Sequence, residues 1–334
     1  MSGYLDAVTR GSVVFDGATG TWLQTQDLTA EDFGGPDLEG CNEILNLTRP
    51  EVVAALHRAY LDVGAHVVET NTFGCFAGPL GEYGLEDQVY DIAASAARIA
   101  RETADEFEDR FVAGSMGPGT KFPTLGQISY ADLRGMYEVE AAGLIDGGVD
   151  LLIIETQFDL LGLKAAVNGA RRAMRSSGRD IPLQTQVTIE LTGRMLPGTE
   201  IGAALAAMEA LGPDVLGLNC ATGPLEMYEP VRYLSAHSST PISIIPNAGL
   251  PSVVDGAMHY DLGSSDMAHH LRTFVEEFGV NVVGGCCGST PEYIGSLIEA
   301  LADVTPRVRD PQRIPAVTST YSPVPLHQDT SFLI

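Results

Sequence analysis

Three cysteines carry the strongest chemical signal in this sequence. Cys286 and Cys287 are adjacent at the end of a short β-branched run, and Cys220 ends another apolar run. Zinc takes thiolates in tetrahedral geometry, and catalytic zinc sites keep three protein ligands and one open position. Gly285 and Gly288 flank the pair and let the backbone bend so that both thiolates can face one ion. We therefore interpret Cys220, Cys286 and Cys287 as ligands of one Zn²⁺.

Other roles for the cysteines have to be weighed against metal binding. The chain has five cysteines, and an odd number argues against a framework of disulfides. Cys41 and Cys75 stand alone, and a lone cysteine most often packs as a small apolar residue. The adjacent pair could also pack, or could form a vicinal disulfide, which a reducing compartment disfavours.

Short apolar runs alternate with helical patterns along nearly the whole chain. A strand buried on both faces reads as a continuous apolar run, and these runs mostly do. Eight strand–helix units predict a single-domain (β/α)₈ TIM barrel, with a doubly wound open sheet as the alternative. The predicted strands are 12–15, 66–70, 111–114, 150–155, 181–189, 215–218, 241–245 and 280–283.

The same pattern sets the predicted domain limits. We assign residues 1–304 to the barrel and residues 305–334, rich in Pro, Ser and Thr, to a C-terminal tail that is extended on the surface or disordered. The residues from Gly17 to Leu47 should form a long loop over one barrel mouth. Thr48 and Glu51 have capping-box spacing, which predicts that a helix begins there.

Polar residues stand at the predicted strand ends, where the active site of such a barrel lies. Singly, each could cap a loop or pack in the core; together they mark one face of the barrel. They are Asp16, Glu69, Thr70, Asn71, Ser115, Glu155, Asn219, Cys220, Asn247, Cys286 and Cys287.

Composition excludes several classes of partner. Lys and Arg total 19 against 44 Asp and Glu, a net charge of −25, which argues against binding to nucleic acid or to anionic membranes. No apolar run is long enough to span a bilayer, and residues 1–10 lack the apolar segment of a signal peptide. We therefore expect a cytoplasmic protein.

Several motifs together resemble the zinc-dependent homocysteine S-methyltransferase family. The likeness runs from about residue 12 to 302 and is closest to the homocysteine-binding region of the cobalamin-dependent methionine synthases. The motifs are Asp-Gly-Ala-Thr-Gly-Thr at 16–21, Leu-Glu-Gly-Cys-Asn-Glu-Ile-Leu at 38–45, Val-Glu-Thr-Asn-Thr-Phe at 68–73, Ile-Glu-Thr at 154–156, Gly-Leu-Asn-Cys at 217–220, Pro-Asn-Ala-Gly-Leu-Pro at 246–251 and Val-Gly-Gly-Cys-Cys-Gly-Ser-Thr-Pro at 283–291.

The resemblance implies a role for particular residues besides the three zinc ligands. Asp16 and Glu155 would hold the amino group of homocysteine, and backbone at Gly17 and Thr70 would receive its carboxylate. Asn219 would lie beside the metal. The homocysteine thiol would join zinc as the fourth ligand and lose its proton, and the electron-rich sulfur would then attack a methyl group to form methionine.

The resemblance leaves the methyl donor open. Cobalamin-dependent methionine synthases carry folate, cobalamin and activation modules on the same chain, whereas this sequence has only a short tail after the barrel. We expect the methyl group to come from a corrinoid protein carrying methylcobalamin, or from a folate-binding partner. A small onium donor, S-methylmethionine or betaine, is the alternative.

Two hypotheses from other classes remain. The chain could be a non-catalytic homocysteine-binding subunit of a larger methyltransferase complex, because it lacks a donor module. It could also be a redox barrel that uses a disulfide between Cys286 and Cys287. Metal content and turnover with free donors distinguish these hypotheses.

Overall fold

The barrel strands form one parallel sheet that closes on itself. In this computed structural model, which describes residues 3–254 and 257–326, the sheet runs β1-β8-β7-β6-β5-β4-β3-β2, and a parallel bridge between Phe15 and Val67 joins its two ends. The closed sheet confirms the predicted TIM barrel over the open-sheet alternative. The strands, numbered β1 to β8, are Val13–Val14, Val67–Glu69, Phe111–Met116, Leu151–Gln157, Leu183–Val187, Val215–Asn219, Ile242–Ile245 and Val282–Val283.

A helix layer surrounds the barrel. Within residues 3–254 and 257–326, none of the helices combines the length and apolar composition needed to cross a membrane. The helices that follow the eight strands are Pro50–Asp62, Val89–Ala104, Tyr130–Gly147, Leu160–Ser177, Ile201–Leu211, Tyr228–His237, Ser264–Phe278 and Pro291–Leu301. Shorter helical segments are Thr19–Leu23, Pro36–Leu38, Asn42–Ile44, Leu45–Thr48, Ala77–Leu80, Gly81–Tyr83 and Glu86–Gln88.

Strand β4 shows why the strands read as continuous apolar runs. Leu151 and Ile153 pack inside the barrel, whereas Leu152 and Ile154 pack outward against the helices, and all four side chains are buried. Successive side chains of a strand point to opposite faces, and here both faces are covered. The run therefore cannot show the alternation of a half-exposed strand.

An N-terminal helix, Gly3–Arg10, closes the barrel end away from the strand C-termini, and the sequence analysis missed it. Its Tyr4 hydroxyl donates a 2.6 Å hydrogen bond to Oε1 of Gln184 in β5. Tyr4 and Val8 are its buried residues. The apolar residues of this segment lie between Tyr4 and Val8, a stretch of little more than one turn that is too short to show helical periodicity.

The predicted capping box at Thr48 was wrong. Thr48 ends the short helix Leu45–Thr48, and its hydroxyl donates to the carbonyl of Ile44. The next helix begins at Pro50 with Arg49 as its N-cap, and no side chain caps it. The residue before a proline is pushed out of helical geometry, so the proline sets this boundary.

In the part of the chain that the structure describes, two β-hairpins lie outside the barrel sheet. One, the mouth hairpin, pairs Pro251–Val254 with Ala257–Tyr260 after β7 and was not foreseen. The other, the tail hairpin, pairs Ala316–Thr318 with Pro323–Pro325.

The described part of the tail lies on the barrel helices. The carbonyl of Tyr321 accepts a 2.9 Å hydrogen bond from the Glu200 amide, and the Arg309 guanidinium donates to the carbonyls of Ser238 and Thr240. The tail up to residue 326 is therefore extended along the surface, which is one of the two predicted states. The division at residue 304 stays a prediction, and residues 327–334 lie outside the described residues.

Gly217 allows β6 and β7 to pair closely. A Cβ atom at Gly217 would lie 1.7 Å from the backbone oxygen of Ser243, with which Gly217 is in register. Gly217→Ala should therefore destabilise the barrel by at least ~1–3 kcal/mol, the usual penalty for overpacking. The midpoint of urea unfolding measures the effect.

Gly135→Ala is the matched control. Gly135 lies within the helix Tyr130–Gly147, and a Cβ there meets nothing within 4 Å. Alanine is the better helix former, so the urea midpoint should stay the same or rise. The free energy of unfolding should increase by up to ~1 kcal/mol. Equal midpoints for the two variants would contradict the packing argument.

Candidate metal and substrate site

The structure brings the three predicted cysteine ligands together. Cys220 directly follows β6, and Cys286 and Cys287 follow β8. Their sulfur atoms all lie within 4.8 Å of one another, and the Cys220 and Cys287 sulfurs are 3.8 Å apart. Two thiolates on a tetrahedral zinc, each at ~2.3 Å, are separated by about 3.8 Å. The cluster therefore has the donor atoms and the spacing that a single thiolate-bound metal ion requires.

Local backbone geometry aims the sulfurs inward. Cys220 adopts a left-handed conformation with φ of 57°, which turns the chain sharply at the end of β6. The Cys286 amide donates to the Pro246 carbonyl at 2.7 Å, and the Cys287 amide donates to Oδ1 of Asn247 at 3.1 Å. A Cβ at Gly285 would lie 2.2 Å from Oγ of Ser289, so only glycine fits between the strand and the cysteine pair.

The pKa values of the adjacent cysteines Cys286 and Cys287 shift in opposite directions. Hydrogen bonds from the thiols of Cys220 and Cys286 lower the pKa of Cys287, and the Tyr260 hydroxyl of the mouth hairpin adds a further hydrogen bond. Hydrogen bonding to Cys220 and Cys287, together with burial, raises the pKa of Cys286. These hydrogen bonds favour the thiolate form of Cys287, and the thiolate is the form of cysteine that binds a metal cation.

A cavity of about 260 Å³ opens beside the cysteines at the C-terminal mouth of the barrel. Among the described residues, its wall contains three glutamates but no Lys, Arg or His, so it favours a cationic group. The lining residues are Gly17, Ala18, Thr19, Gly20, Thr21, Asn42, Glu43, Glu69, Thr70, Asn71, Thr72, Phe73, Ser115, Glu155, Thr156, Cys220, Ile245, Gly285, Cys286 and Cys287.

Enclosed carboxylates crowd one side of this cavity. Burial raises the pKa of Glu155, and burial together with the charges of Glu155 and Asp16 raises the pKa of Glu69. The two glutamates are hydrogen-bonded to each other. Oγ of Ser115 also donates to Glu155 at 2.6 Å. A cation placed between these carboxylates would offset their mutual repulsion.

Two of the predicted substrate contacts do not reach the cavity wall. Asp16 is buried behind it, where its Oδ2 accepts a 3.0 Å hydrogen bond from the Glu69 amide. Asn219 is also buried, and its Nδ2 donates to Oε2 of Glu155 at 2.9 Å. Both residues therefore support the glutamates from behind, and Glu69, absent from the predicted contacts, lines the cavity instead.

The other predicted substrate contacts do line the cavity. Gly17 begins the loop along one wall, and Glu155 faces the space directly. Thr70 also lines it, but its amide already donates to the Ala113 carbonyl at 2.9 Å. The backbone amide of Thr70 is therefore already paired within the sheet, and the assignment of Thr70 to the substrate carboxylate stays a prediction.

The sequence analysis named Glu69 among the strand-end residues without giving it a role in binding, and it missed Tyr260. Glu69 directly precedes Thr70 at the end of β2, so its position among the strand-end residues was a sufficient signal. Tyr260 lies in the unforeseen mouth hairpin, and its ring packs against Gly288. No sequence pattern relates Tyr260 to a cysteine in a later segment.

Known proteins resemble this chain in sequence and in fold. The methionine synthases of Mycobacterium tuberculosis (strain ATCC 25618 / H37Rv) and Mycobacterium leprae (strain TN) are 50% and 49% identical to it, and each match covers 99% of this chain. The chain spans only 28% of the length of these curated relatives.

A solved structure shares the fold. The homocysteine methyltransferase MmuM from Escherichia coli, in its metallated form, superposes with a TM-score of 0.70 at 19% identity, over 86% of this chain and 96% of that one. At the sequence level, the profile of the family described as homocysteine S-methyltransferase matches residues 13–301. Because that match covers most of the chain, this protein belongs to the homocysteine S-methyltransferase family.

Proposed function

We propose that this chain binds homocysteine and Zn²⁺ and catalyses methyl transfer to the homocysteine sulfur, forming methionine. One observation carries the proposal: three cysteine sulfurs and two enclosed glutamates face a single cavity. The cysteines form one end of this cavity and the glutamates form the other. A small molecule that carries both a thiol and an ammonium group matches the two ends. Membership of the family and the likeness to two methionine synthases support the same substrate.

Cys220, Cys286 and Cys287 would hold the zinc. When bound there, zinc would supply an open coordination position at which the substrate thiol loses its proton and stays nucleophilic at neutral pH. The sulfur electron pair then forms the bond to the methyl carbon, while the bond from that carbon to the donor breaks and leaves its electrons with the donor. Three closely spaced thiols need a reducing compartment, which supports a cytoplasmic location.

The two ends of the amino acid would be bound by different walls. Glu155 and Glu69 would accept hydrogen bonds from the ammonium group, with Asp16 adding negative charge behind them. The loop from Gly17 to Thr21 lines the cavity without an acidic side chain, so the carboxylate would lie there, away from the glutamates. This arrangement aims the substrate sulfur at the cysteines.

We further propose that the methyl group comes from a corrinoid or folate-linked partner. The support is that the methionine synthases matched over this whole chain are much longer than it. Methyl transfer from methylcobalamin or methyltetrahydrofolate, with zinc-loaded protein and homocysteine, should exceed transfer from S-methylmethionine, betaine or S-adenosylmethionine. Methionine formed per minute is the measurement.

Other outcomes of this donor panel are informative. Turnover with S-methylmethionine or betaine alone would replace the proposed partner with a small onium donor. Stoichiometric homocysteine binding without turnover from any donor would favour a non-catalytic binding subunit.

Loss of one cysteine ligand should abolish stable metal binding. Cys220→Ala leaves two sulfurs, and we expect zinc content after dialysis against a weak chelator to fall from about one per chain to well below one. Cys75→Ala is the matched control, because Cys75 is buried elsewhere and its sulfur faces the Val89 carbonyl. Equal zinc content in the two variants would contradict the assignment.

Glu155→Gln should weaken the binding of homocysteine but not that of 4-mercaptobutyrate, which is the same thiol acid without the amino group. A hydrogen bond to a charged group contributes ~1.5–3 kcal/mol, so the affinity for homocysteine should fall roughly 10–100-fold. Calorimetric titration of zinc-loaded protein with both thiols measures this. A similar loss for both thiols would show that Glu155 does not recognise the ammonium group.

A further inference from the structure

We propose that Asn219 is a positioning residue that couples the ammonium end of the site to the metal end. The inference rests on the proposed function, because it assigns the two ends to two parts of one substrate. The side chain of Asn219 would contact neither the substrate nor the metal. Asn219 is fully buried and does not line the cavity.

The side-chain amide of Asn219 makes three hydrogen bonds, all with two consecutive residues of another strand. Its Nδ2 donates to Oε2 of Glu155 at 2.9 Å and to Oγ1 of Thr156 at 2.8 Å. Its Oδ1 accepts from the Thr156 amide at 2.7 Å. A carboxamide alone among side chains of this size both donates twice and accepts, so this set of contacts is specific to asparagine.

These contacts cross the barrel mouth. Asn219 is the last residue of β6, whereas Glu155 and Thr156 belong to β4, and β5 lies between the two strands. Asn219 thus joins strand ends that no backbone pairing connects. Its peptide bond to Cys220 carries any displacement directly to a proposed metal ligand.

The backbone on both sides of this bridge is strained. Thr156, Cys220 and Ala221 have φ values of 56°, 57° and 60°, in the left-handed region that side chains with a Cβ disfavour. Threonine is β-branched, so Thr156 is the most unfavourable of the three. The two hydrogen bonds between Asn219 and Thr156, one donated by each residue, hold it there. Such strain is stored where a particular geometry is required.

Ser115 supplies a matched comparison. Its hydroxyl holds the other oxygen of Glu155, at 2.6 Å, but Ser115 lies in β3 and has no link to the cysteine cluster. Ser115→Ala therefore disturbs the ammonium end alone, whereas Asn219→Ala should disturb both ends.

The test uses cobalt-substituted protein and L-2-aminobutyrate, which is homocysteine without the thiol that would bind the metal. In the wild type, saturating L-2-aminobutyrate should shift the thiolate-to-cobalt absorption band, because occupying the ammonium end moves Cys220 through Asn219. The shift should persist in Ser115→Ala at higher ligand concentration. In Asn219→Ala it should disappear, and the band without ligand should already differ from that of the wild type.

Direct binding supplies the second readout. Asn219→Ala should lower the preference for homocysteine over 4-mercaptobutyrate by about tenfold or more, the effect of freeing one oxygen of a charged carboxylate. If Asn219→Ala does not fold, Asn219→Asp keeps the size and the acceptor oxygen and removes both donors, and the same two changes are expected.

The outcomes separate this inference from the proposed function. If L-2-aminobutyrate displaces homocysteine but leaves the wild-type cobalt band unchanged, the coupling is refuted while the substrate site stands. The coupling also fails if the cobalt spectra of Asn219→Ala and Ser115→Ala match. Failure of the wild type to bind cobalt stoichiometrically, or to bind homocysteine, would refute the proposed function itself.

Discussion

The close approach of three cysteine sulfurs is the constraint on which the rest of the site depends. Neighbouring strands of a sheet lie about 4.8 Å apart, so the ends of β6 and β8, with β7 between them, are separated by roughly twice that distance. The sulfurs of Cys220 and Cys287 are nevertheless only 3.8 Å apart. The turns after both strands must therefore bend inward, which accounts for the left-handed Cys220 and for a glycine at position 285.

The cavity concentrates negative charge, and none of the described residues that line it carries a positive charge. Burial disfavours the charged carboxylates of Glu69 and Glu155, and the charges of Glu155 and Asp16 raise the pKa of Glu69 further. The cysteine cluster is likewise electron-rich. A metal cation at one end and an ammonium group at the other would relieve both sets of repulsions, so the cavity is electrostatically complementary to a metal-bound amino thiol and disfavours an anion.

Much of the fold followed from the sequence because it depends on local patterns. Strands buried on both faces read as apolar runs, and each of the eight predicted strands overlaps a strand of the barrel. The N-terminal helix and the mouth hairpin escaped prediction because they gain their stability from tertiary contacts. Tyr4 contacts Gln184, far along the chain, and Tyr260 contacts Gly288 in a later segment.

The sequence by itself determined which residue types stand at the ends of the barrel strands, including all three cysteines and the principal acids. A strand end is visible in sequence because the apolar run stops there. The tertiary structure alone decided which of these side chains face the cavity. Asp16 and Asn219 lie behind the wall, and Glu69 lies in it. The reason is geometric: the direction of a side chain at a strand end depends on the local φ and on the register of neighbouring strands, and neither is encoded in the type of residue.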